Sequence, residues 1–502
     1  MTTKSPESPS QHGQWGRHVA DRPDGSIIPA VSSLLTHMTD TGSQYYRDLL
    51  ARRFAGRKVI LTGMVAGATD AVKLMRELGA ERPFLLAEGV GTGDLPLEHE
   101  LEWVLVGIPS VKSLMEGIRA YEVALANLSD EAAHAVERYD PDKTALVLRQ
   151  LTIGLRTIAN RGVYGAKDPR WIAYEDKTIV DAMWDRLAVP RAPSRIVPAK
   201  ERELCEAAKE LDQGNGTVWA ADAREGWHGG SEGLRWIRDD DRAAAQAAWF
   251  TEHSHHVRVM PFLEGIPCSI HGMVFPDTVI AFRPVEQLTL SRQDDAKFKY
   301  SGCATFWDPP DSDREEMREL ARRVGNALRD EIGFRGTFTI DGVMTVDGFR
   351  PTELNPRFGA GLGTISRALP ELPLYWIDQA VCQGEEWDFR PHDLEAMVLE
   401  SGDSIRASFA RGWDAMVYTN TKKYTLVEQP DGEYRFAQEN ETPTATMTIG
   451  PSPMGSFLIF ALEPEHNVAG QPVAPNAVRA FAFSDRELGT QYGVLEAARS
   501  VR

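Results

Sequence analysis

The segment Thr339–Gly363 carries the side chains whose types and spacing are most suggestive of chemistry. Asp341 precedes Glu353 by twelve residues, and Asn355 follows Glu353 by two. Because side chains alternate along a strand, Glu353 and Asn355 would share one face. Carboxylate and amide oxygens suit Mg²⁺, which prefers carboxylates together with substrate phosphates. With Arg357 as a cation for phosphate oxygens, the segment predicts a Mg²⁺ site that receives a phosphorylated ligand.

A β-hairpin is expected to hold these groups. Two strand-like runs, Gly336–Val343 and Phe349–Leu354, flank the turn Val346-Asp347-Gly348, and Asp-Gly between apolar runs is a hairpin signal. Pairing of the two strands would bring Asp341 beside Glu353. The alternative for so short a pattern is an acidic hairpin with a solvated face.

The longer string that begins at Glu353, E-L-N-P-R-F-G-x-G, is more specific. It resembles the metal-binding end of the ATP-grasp ligases, which join a carboxylate to a nucleophile, usually an amine, through an acyl-phosphate. The resemblance implies that Asp341, Glu353 and Asn355 hold Mg²⁺ against the phosphates of ATP. It also implies that Arg357 contacts a phosphate.

Composition limits the classes of protein that remain. The chain has 502 residues, which allows roughly three domains of about 150 residues. Its net charge of −18, without a basic block, argues against a nucleic-acid-binding surface. The four cysteines are far apart and form no C-x-x-C pair, so neither a zinc site nor a disulfide framework is expected. Without a long apolar run or a signal-peptide region, we expect a cytoplasmic protein without membrane contact.

The order of elements predicts an α/β (α+β) chain in four parts. A mobile tail to about Gly25 and a helix occupy residues 1–57, and an α/β domain follows over 58–170. Within it, the strands Lys58–Thr62 and Phe84–Ala87 flank a Gly-rich turn and a helix, which indicates a parallel sheet. The resemblance implies an ATP-grasp core over 171–390, preceded by this α/β domain and followed by a smaller C-terminal domain over 391–502.

A glycine-rich segment, DAREGWHGGSEG over Asp222–Gly233, lies between two strand-like runs. Glycines let backbone N–H groups approach phosphates closely, although a plain flexible hairpin fits equally well. Its position upstream of the metal hairpin resembles the flap of ATP-grasp enzymes, which implies ATP contacts from Gly229, Gly230 and Ser231. Lys177 resembles a phosphate-binding lysine at a helix start in several members, with a solvated helix residue as the alternative.

One position departs from the family pattern. Family members usually carry a lysine at the end of the strand before the flap, where Ala221 stands in this chain. Arg224 is the nearest cation that could replace it, although a planar guanidinium is not equivalent to a lysine. The next strand, Val257–Phe262, lies where the family has its adenine hinge, and Met260 and Phe262 are expected to pack in the core or against adenine.

Three further residues have side chains that could take part in chemistry. Arg283 could bind a substrate carboxylate with both nitrogens, or form a surface ion pair. Lys299 lies in a long loop expected over Asp294–Trp307, where it could contact a phosphate or an acyl group. Cys303 lacks an evident neighbouring base and is interpreted as structural.

The resemblance implies a ligase that uses ATP and Mg²⁺ and releases ADP and phosphate. Among ATP-grasp types, the flanking domains are most similar to bacterial peptide ligases of the pheganomycin type, which attach a non-proteinogenic amino acid to a peptide amine in antibiotic biosynthesis. The expected partners are ATP, a small carboxylate and an amine acceptor such as a peptide, with a homodimer left open. Two alternatives remain: an amino-acid ligase that makes dipeptides, and a nucleotide-binding pseudoenzyme, which Ala221 suggests.

Overall fold

The computed structural model describes residues 30–149, 154–226, 228–292, 295–404, 406–466 and 468–501. The predicted N-terminal tail to Gly25 therefore lies outside the described residues. In the part of the chain that is described, no helix is both long and apolar enough to cross a membrane.

The N-terminal part is a parallel sheet with helices packed against it. Its elements are α1 (Ala30–Phe54), β1 (Val59–Gly63), α2 (Thr69–Glu77), β2 (Phe84–Ala87), β3 (Glu102–Leu105), α3 (Leu114–Ala126), α4 (Asp130–Tyr139), β4 (Leu146–Leu148), β5 (Thr157–Ile158) and β6 (Arg161–Tyr164). The strand order is β3-β2-β1-β4-β6-β5, and every pairing except β5 with β6 is parallel. All of β1 is buried, as expected for a strand covered on both faces. The predicted parallel β-loop-α-β unit is confirmed.

A small antiparallel sheet follows. Its part of the chain contains α5 (Pro169–Ile172), α6 (Val180–Arg186), β7 (Arg195–Pro198), α7 (Glu201–Leu211), β8 (Thr217–Ala221), β9 (Leu234–Ile237), α8 (Asp240–His253) and β10 (His256–Pro261). The strand order is β7-β10-β8-β9. Trp219 and Phe250 lie in the core between this sheet and the helices α7 and α8. The glycine-rich segment joins β8 to β9, as the sequence predicts.

A twelve-stranded sheet forms the rest of the molecule. Its first part contains β11 (Ile266–Val274), β12 (Val279–Ala281), β13 (Val285–Arg292), β14 (Phe298–Ala304), α9 (Asp311–Ile332), β15 (Gly336–Thr345), β16 (Gly348–Asn355), α10 (Ala360–Ala368), α11 (Leu374–Gln383) and α12 (Pro391–Ser404). Its second part contains β17 (Ser408–Asp414), β18 (Lys422–Glu428), β19 (Tyr434–Phe436), β20 (Ala445–Ser452), β21 (Gly455–Leu462), α13 (Ala474–Leu488) and β22 (Leu495–Glu496).

The C-terminal strands continue this sheet. The sequence predicts a C-terminal domain after the core, and the strands of that part are hydrogen-bonded to the central strands. β17 pairs with β14, and the order runs β16-β15-β11-β13-β14-β17-β21-β20-β18-β19. β22 also pairs with β13, so the end of the chain returns to the central part. The site-bearing strands and the C-terminal strands therefore belong to one sheet.

The expected long loop over Asp294–Trp307 is wrong for much of its length. Phe298–Ala304 is the strand β14, paired with β13 on one side and β17 on the other. A lysine, a serine and a glycine interrupt the apolar pattern of this strand. Lys299 packs its charged end against aromatic rings, so a lysine occupies a position that usually takes an apolar residue.

The hairpin of β15 and β16 places the acidic residues. Asp341 lies directly opposite Glu353, and the register shifts immediately afterwards, because Gly342 pairs with Pro351. This irregularity leaves Thr352 unpaired beside the acidic pair, and such bulges often re-aim side chains next to functional sites. The two predicted strands and their turn are confirmed.

Candidate active site

A cavity of about 1000 Å³ lies where the small sheet, the central part of the large sheet and the N-terminal part meet. The strands β15 and β16 supply Asp341, Glu353 and Asn355 to its wall. Alternate residues of β15, such as Ile340, point the other way into the apolar core. The alternation that predicts a shared polar face therefore also anchors that face on a packed layer.

Hydrogen bonds tie the acidic residues into one cluster. The amide nitrogen Nδ2 of Asn355 donates to Asp341 Oδ2 at 2.8 Å and to Glu353 Oε1 at 3.0 Å. On the neighbouring strand, Ser269 Oγ donates to Asp341 Oδ1 at 2.6 Å. The structure thus brings together the three residues that the sequence predicts as metal ligands.

The two carboxylates differ in charge state because their neighbours differ. Burial and the adjacent Glu353 raise the pKa of Asp341 to about 7. Burial acts upward on Glu353 as well, but Lys177 Nζ lies 2.7 Å from Glu353 Oε2 and lowers the pKa of this carboxyl to about 2. Two acids that resist joint ionisation form a site that a divalent cation would neutralise.

The donor set fits a cation that takes most of its ligands from elsewhere. Among the described residues, no group of three or more His, Cys, Asp or Glu side chains is arranged to hold a metal. Two carboxylates suffice for Mg²⁺, which usually keeps waters and phosphate oxygens as further ligands. Asn355 directs its nitrogen at the carboxylates, and its oxygen Oδ1 accepts from Arg357 Nη2 at 3.0 Å. In this arrangement Asn355 is a hydrogen-bond donor to the acids.

Arg357 is held at the cavity wall by a residue that sequence reasoning missed. Its Nε lies 2.8 Å from Glu175 Oε1, and Glu175 is almost fully buried. The pair fixes a guanidinium between the acidic cluster and the cavity. Glu175 lies two residues before Lys177 and carries no motif signal of its own.

The glycine-rich segment covers the same cavity. Gly229, Gly230 and Ser231 line it, and the carbonyl oxygen of His228 accepts from Lys177 Nζ at 3.2 Å. Gly230 has φ +61°, a conformation that favours glycine. Lys177 therefore connects this segment to Glu353.

Contacts with α3 hold the glycine-rich segment against the N-terminal part. The backbone nitrogen of Met115 donates to Glu232 Oε1 at 3.1 Å, and the N–H of Gly229 points at Met115 Sδ at 3.2 Å. The segment is therefore closed over the cavity in this structure.

A flat apolar slot forms another wall. Met260 and Phe262 line the cavity, and the ring of Trp236 stacks on Phe262 with centroids 4.0 Å apart and planes 12° from parallel. Aromatic and thioether side chains of this kind suit a flat ring system. The structure therefore places Met260 and Phe262 where a purine could bind.

The residue of β8 that faces the cavity is Ala220, one position before Ala221, where the family lysine is expected. The side chain of Ala221 lies in the core with Trp219, whereas Ala220 faces the cavity. Directly opposite Ala220 in the sheet stands Arg258, which also lines the cavity and forms an ion pair with Asp181. Arg258 was missed, although a charge within the run Val-Arg-Val-Met is a signal of a paired buried cation.

Three predicted site residues are not brought to the cavity. Arg224 Nη1 donates to the carbonyl oxygen of Glu252 at 2.9 Å on the outer side of the small sheet. Arg283 is buried and pairs with Asp308 at 3.2 Å, and Lys299 Nζ lies over the rings of Tyr492 and Phe481. The expectations for Arg224, Arg283 and Lys299 are wrong as to place. A backbone hydrogen bond, an ion pair and ring contacts, in that order, hold these side chains elsewhere.

The chain matches no protein-family model and no curated protein sequence. Its fold is similar to that of Rhizobium etli pyruvate carboxylase T882A, with a TM-score of 0.50, 14% identity, and coverage of 86% of this chain and 37% of that one. The biotin carboxylase domain of Hydrogenobacter thermophilus 2-oxoglutarate carboxylase, solved with MgADP and bicarbonate, gives a TM-score of 0.49, 14% identity, and coverage of 81% and 86%. An N5-carboxyaminoimidazole ribonucleotide synthetase in complex with ADP gives a TM-score of 0.44 and 11% identity, with coverage of 87% of this chain and 98% of that one. The predicted multi-domain α/β fold is confirmed.

Proposed function

We propose that the chain is an ATP-dependent ligase that joins a carboxylate to an amine through an acyl-phosphate and releases ADP and phosphate. The observation that carries this proposal is the convergence of the Asp341–Glu353 pair, Lys177 and the glycine-rich segment on one cavity. A protein that only bound nucleotide would have little need for two buried acids that oppose each other's ionisation.

Each wall of the cavity has a role in this reaction. The slot at Met260 and Phe262 receives the adenine ring, and the glycine-rich segment with Lys177 faces the phosphates. Arg357 provides positive charge beside the acidic cluster, where the phosphoryl group would be transferred. The protein mainly positions the reactants and excludes water, because phosphoryl transfer needs little covalent help.

Asp341 and Glu353 would hold Mg²⁺, with Ser269 and Asn355 orienting them. When bound, Mg²⁺ supplies neutralisation of the negative charge that collects on the transferred phosphoryl group. Lys177 forms an ion pair with Glu353 in this structure. When nucleotide binds, Lys177 would exchange this carboxylate for phosphate oxygens.

The finer proposal concerns the substrates. We propose that the acid is a small amino acid, non-proteinogenic as in the pheganomycin-type ligases, and that the acceptor is a peptide amine. The resemblance of the chain to those ligases supports this, as does a cavity whose volume exceeds the needs of one nucleotide. An amino-acid ligase that makes dipeptides would use the same chemistry with a smaller acceptor.

The nucleotide product tests the reaction. Purified protein is incubated with ATP, Mg²⁺ and panels of carboxylates and amines, and the products are separated by anion exchange. ADP and phosphate, formed only when an acid is present, are expected. Stoichiometric AMP and pyrophosphate would refute an acyl-phosphate route, and tight ATP binding without turnover for any pair would favour a pseudoenzyme.

A matched pair of variants tests the acidic cluster. Glu353→Gln keeps the shape of the side chain but removes the charge, so ADP formation should fall by about a hundredfold or more while the fold is retained. Asp347→Asn makes the same type of change on the exposed turn of the same hairpin and should leave the rate unchanged. Equal rates for wild type and Glu353→Gln at saturating Mg²⁺ would remove Glu353 from the mechanism.

A further inference from the structure

Two arginines face the cavity from elements that the nucleotide site does not use. Arg367 stands in the last turn of α10, and Arg411 stands in the middle of β17. Both line the cavity. They are far apart in sequence and meet because β17 pairs with β14 beside the central strands.

Both guanidinium groups lie over the same aromatic ring. The guanidinium carbon Cζ of Arg367 lies 3.8 Å from the ring centroid of Phe409, and that of Arg411 lies 5.9 Å from the same centroid. Phe409, Arg411 and Trp413 alternate with buried residues along β17, so all three present their side chains to the cavity. The result is a cationic surface with aromatic walls.

The positive charge of this pair is not neutralised by the described part of the chain. Neither arginine forms an ion pair or a hydrogen bond with a described residue, and Arg411 Nε is buried without a partner. Asp70 acts on Arg367 from a distance, whereas Arg411 repels it. The planar guanidinium group is suited to two parallel hydrogen bonds with a carboxylate or a phosphate, and here a ligand would have to supply that anion.

The arginine pair lies next to the acidic cluster. The hydroxyl of Tyr300 and the thiol of Cys303 are 3.2 Å apart. Both groups interact electrostatically with the positive charge of Arg411 and with the negative charge of Asp341. A molecule held at Arg367 and Arg411 would therefore lie beside the position of phosphoryl transfer. The nucleotide slot at Met260 and Phe262 belongs to a different wall of the same cavity.

We propose that Arg367 and Arg411 bind a carboxylate or phosphate group of the second substrate, the amine acceptor, with Phe409 and Trp413 against its apolar body. The identification of the ligand as the amine acceptor rests on the proposed function, whereas the anion site itself does not. It narrows the substrate class to amines that carry a negative group, such as amino acids or peptides with a free carboxylate.

Aromatic probe compounds test the site directly. Benzoate, phenyl phosphate and the neutral analogue benzamide are titrated calorimetrically into the full chain that contains saturating MgADP, which occupies the nucleotide site. Binding of benzoate or phenyl phosphate, but not benzamide, is expected at millimolar concentration. The anion that binds with the lower dissociation constant identifies whether the site prefers carboxylate or phosphate.

Variants connect this binding to the two arginines. Arg411→Gln and Arg367→Gln should each weaken anion binding by about tenfold or more, because each removes a charged hydrogen-bond donor. Arg411→Lys keeps the charge without the planar fork and should give an intermediate loss. Arg202→Gln, a 78% exposed arginine on α7, is the control and should bind as wild type.

Several outcomes would overturn the anion site: equal binding of benzamide, no binding of either anion to wild type, or unchanged binding in both glutamine variants. The failure of the proposed function is distinguishable, because MgADP is titrated into the protein by itself before any anion is added. If MgADP does not bind wild type but the anions bind through Arg367 and Arg411, the site stands and its assignment to a ligase acceptor falls.

Discussion

Glu353 illustrates how single residues set the chemistry of this cavity. Lys177 forms an ion pair with Glu353, Asn355 donates a hydrogen bond to it, and Asp341 lies opposite it on the paired strand. Asn355 donates to both acids, so the cation Lys177 is what distinguishes them, and Asp341 retains a proton more easily than Glu353. Such an asymmetric pair is what a cation and phosphate oxygens would rearrange on binding.

The acidic cluster could be predicted from sequence because its members are separated by short, regular distances. The spacing of Asp341, Glu353 and Asn355 contains both the alternation and the turn that brings them together. Arg258 and Arg411 were not predictable in the same way. The apolar run around Arg258 indicates a buried cation, but the neighbours of Arg258 and Arg411 depend on pairing between strands that are distant in sequence, so no local pattern identifies those neighbours.

His271 provides a pH-dependent prediction at this scale. It is buried on β11, with Nδ1 2.9 Å from Thr339 Oγ1 and Nε2 without a partner in the described residues. Burial lowers its pKa from 6.5 to about 3. Between these values the unfolded chain binds a proton that the folded chain does not, so stability that is present above pH 6.5 is lost as the pH falls.

Comparison with His271→Asn isolates this contribution, because asparagine keeps a polar atom near the position of Nδ1 but does not titrate. Between pH of about 7.5 and about 5.5, the free energy of unfolding of wild type should fall by about 1.4 kcal/mol more than that of the variant. Urea unfolding at both pH values measures the difference. Parallel losses in the two proteins would show that His271 takes up its proton in the folded state.

At the scale of elements, strong local patterns were predictable and mixed ones were not. β1, α2 and β2 combine an apolar run, a Gly-rich turn and an amphipathic helix, and α9 ends at Gly333 with φ +64°. β14 was not predicted because Lys299, Ser301 and Gly302 interrupt its apolar pattern. Lys299 is accommodated through ring contacts with α13 and the residues after it. Tertiary contacts therefore overrode local propensity there.

Helix α10 must approach β11 closely, and a pair of glycines tests this. A Cβ added at Gly361 would lie 2.2 Å from His271 Nε2, whereas a Cβ at Gly363 would meet nothing within 4 Å. Alanine favours a helix over glycine by about 1 kcal/mol, but overpacking costs about 1–3 kcal/mol. Gly361→Ala should lower the thermal unfolding midpoint, and Gly363→Ala should raise it or leave it unchanged.

Circular dichroism melts of both variants and wild type provide the measurement. The two substitutions share the same helix and the same chemistry, so helix propensity cancels between them. If Gly361→Ala melts with or above Gly363→Ala, the close contact between α10 and His271 is not part of the folded protein in solution.

For the whole molecule, the continuous sheet is a feature that the sequence does not reveal. The resemblance implies a domain boundary at residue 390, and across it the apolar residues of β13 and those that follow β14 share one core with the C-terminal strands. Leu288, Leu290 and Phe306 are buried in that core together with Phe460 and Phe481. The C-terminal part is therefore required to cover the central part, in addition to supplying Arg411 to the cavity.

A chain that ends at residue 404 should consequently fail to fold as a soluble protein. It would leave β14 as an unpaired edge and expose Leu288, Leu290 and Phe306, each of which contributes about 1.5–3 kcal/mol when buried. Soluble yield, light scattering and binding of a hydrophobic dye measure the effect, with the full chain as the reference. Co-expression of a separate fragment over 405–502 should restore solubility, because it supplies β17 and the other half of the core. A soluble 404-residue chain that unfolds cooperatively without the fragment would instead establish the C-terminal part as an independent domain.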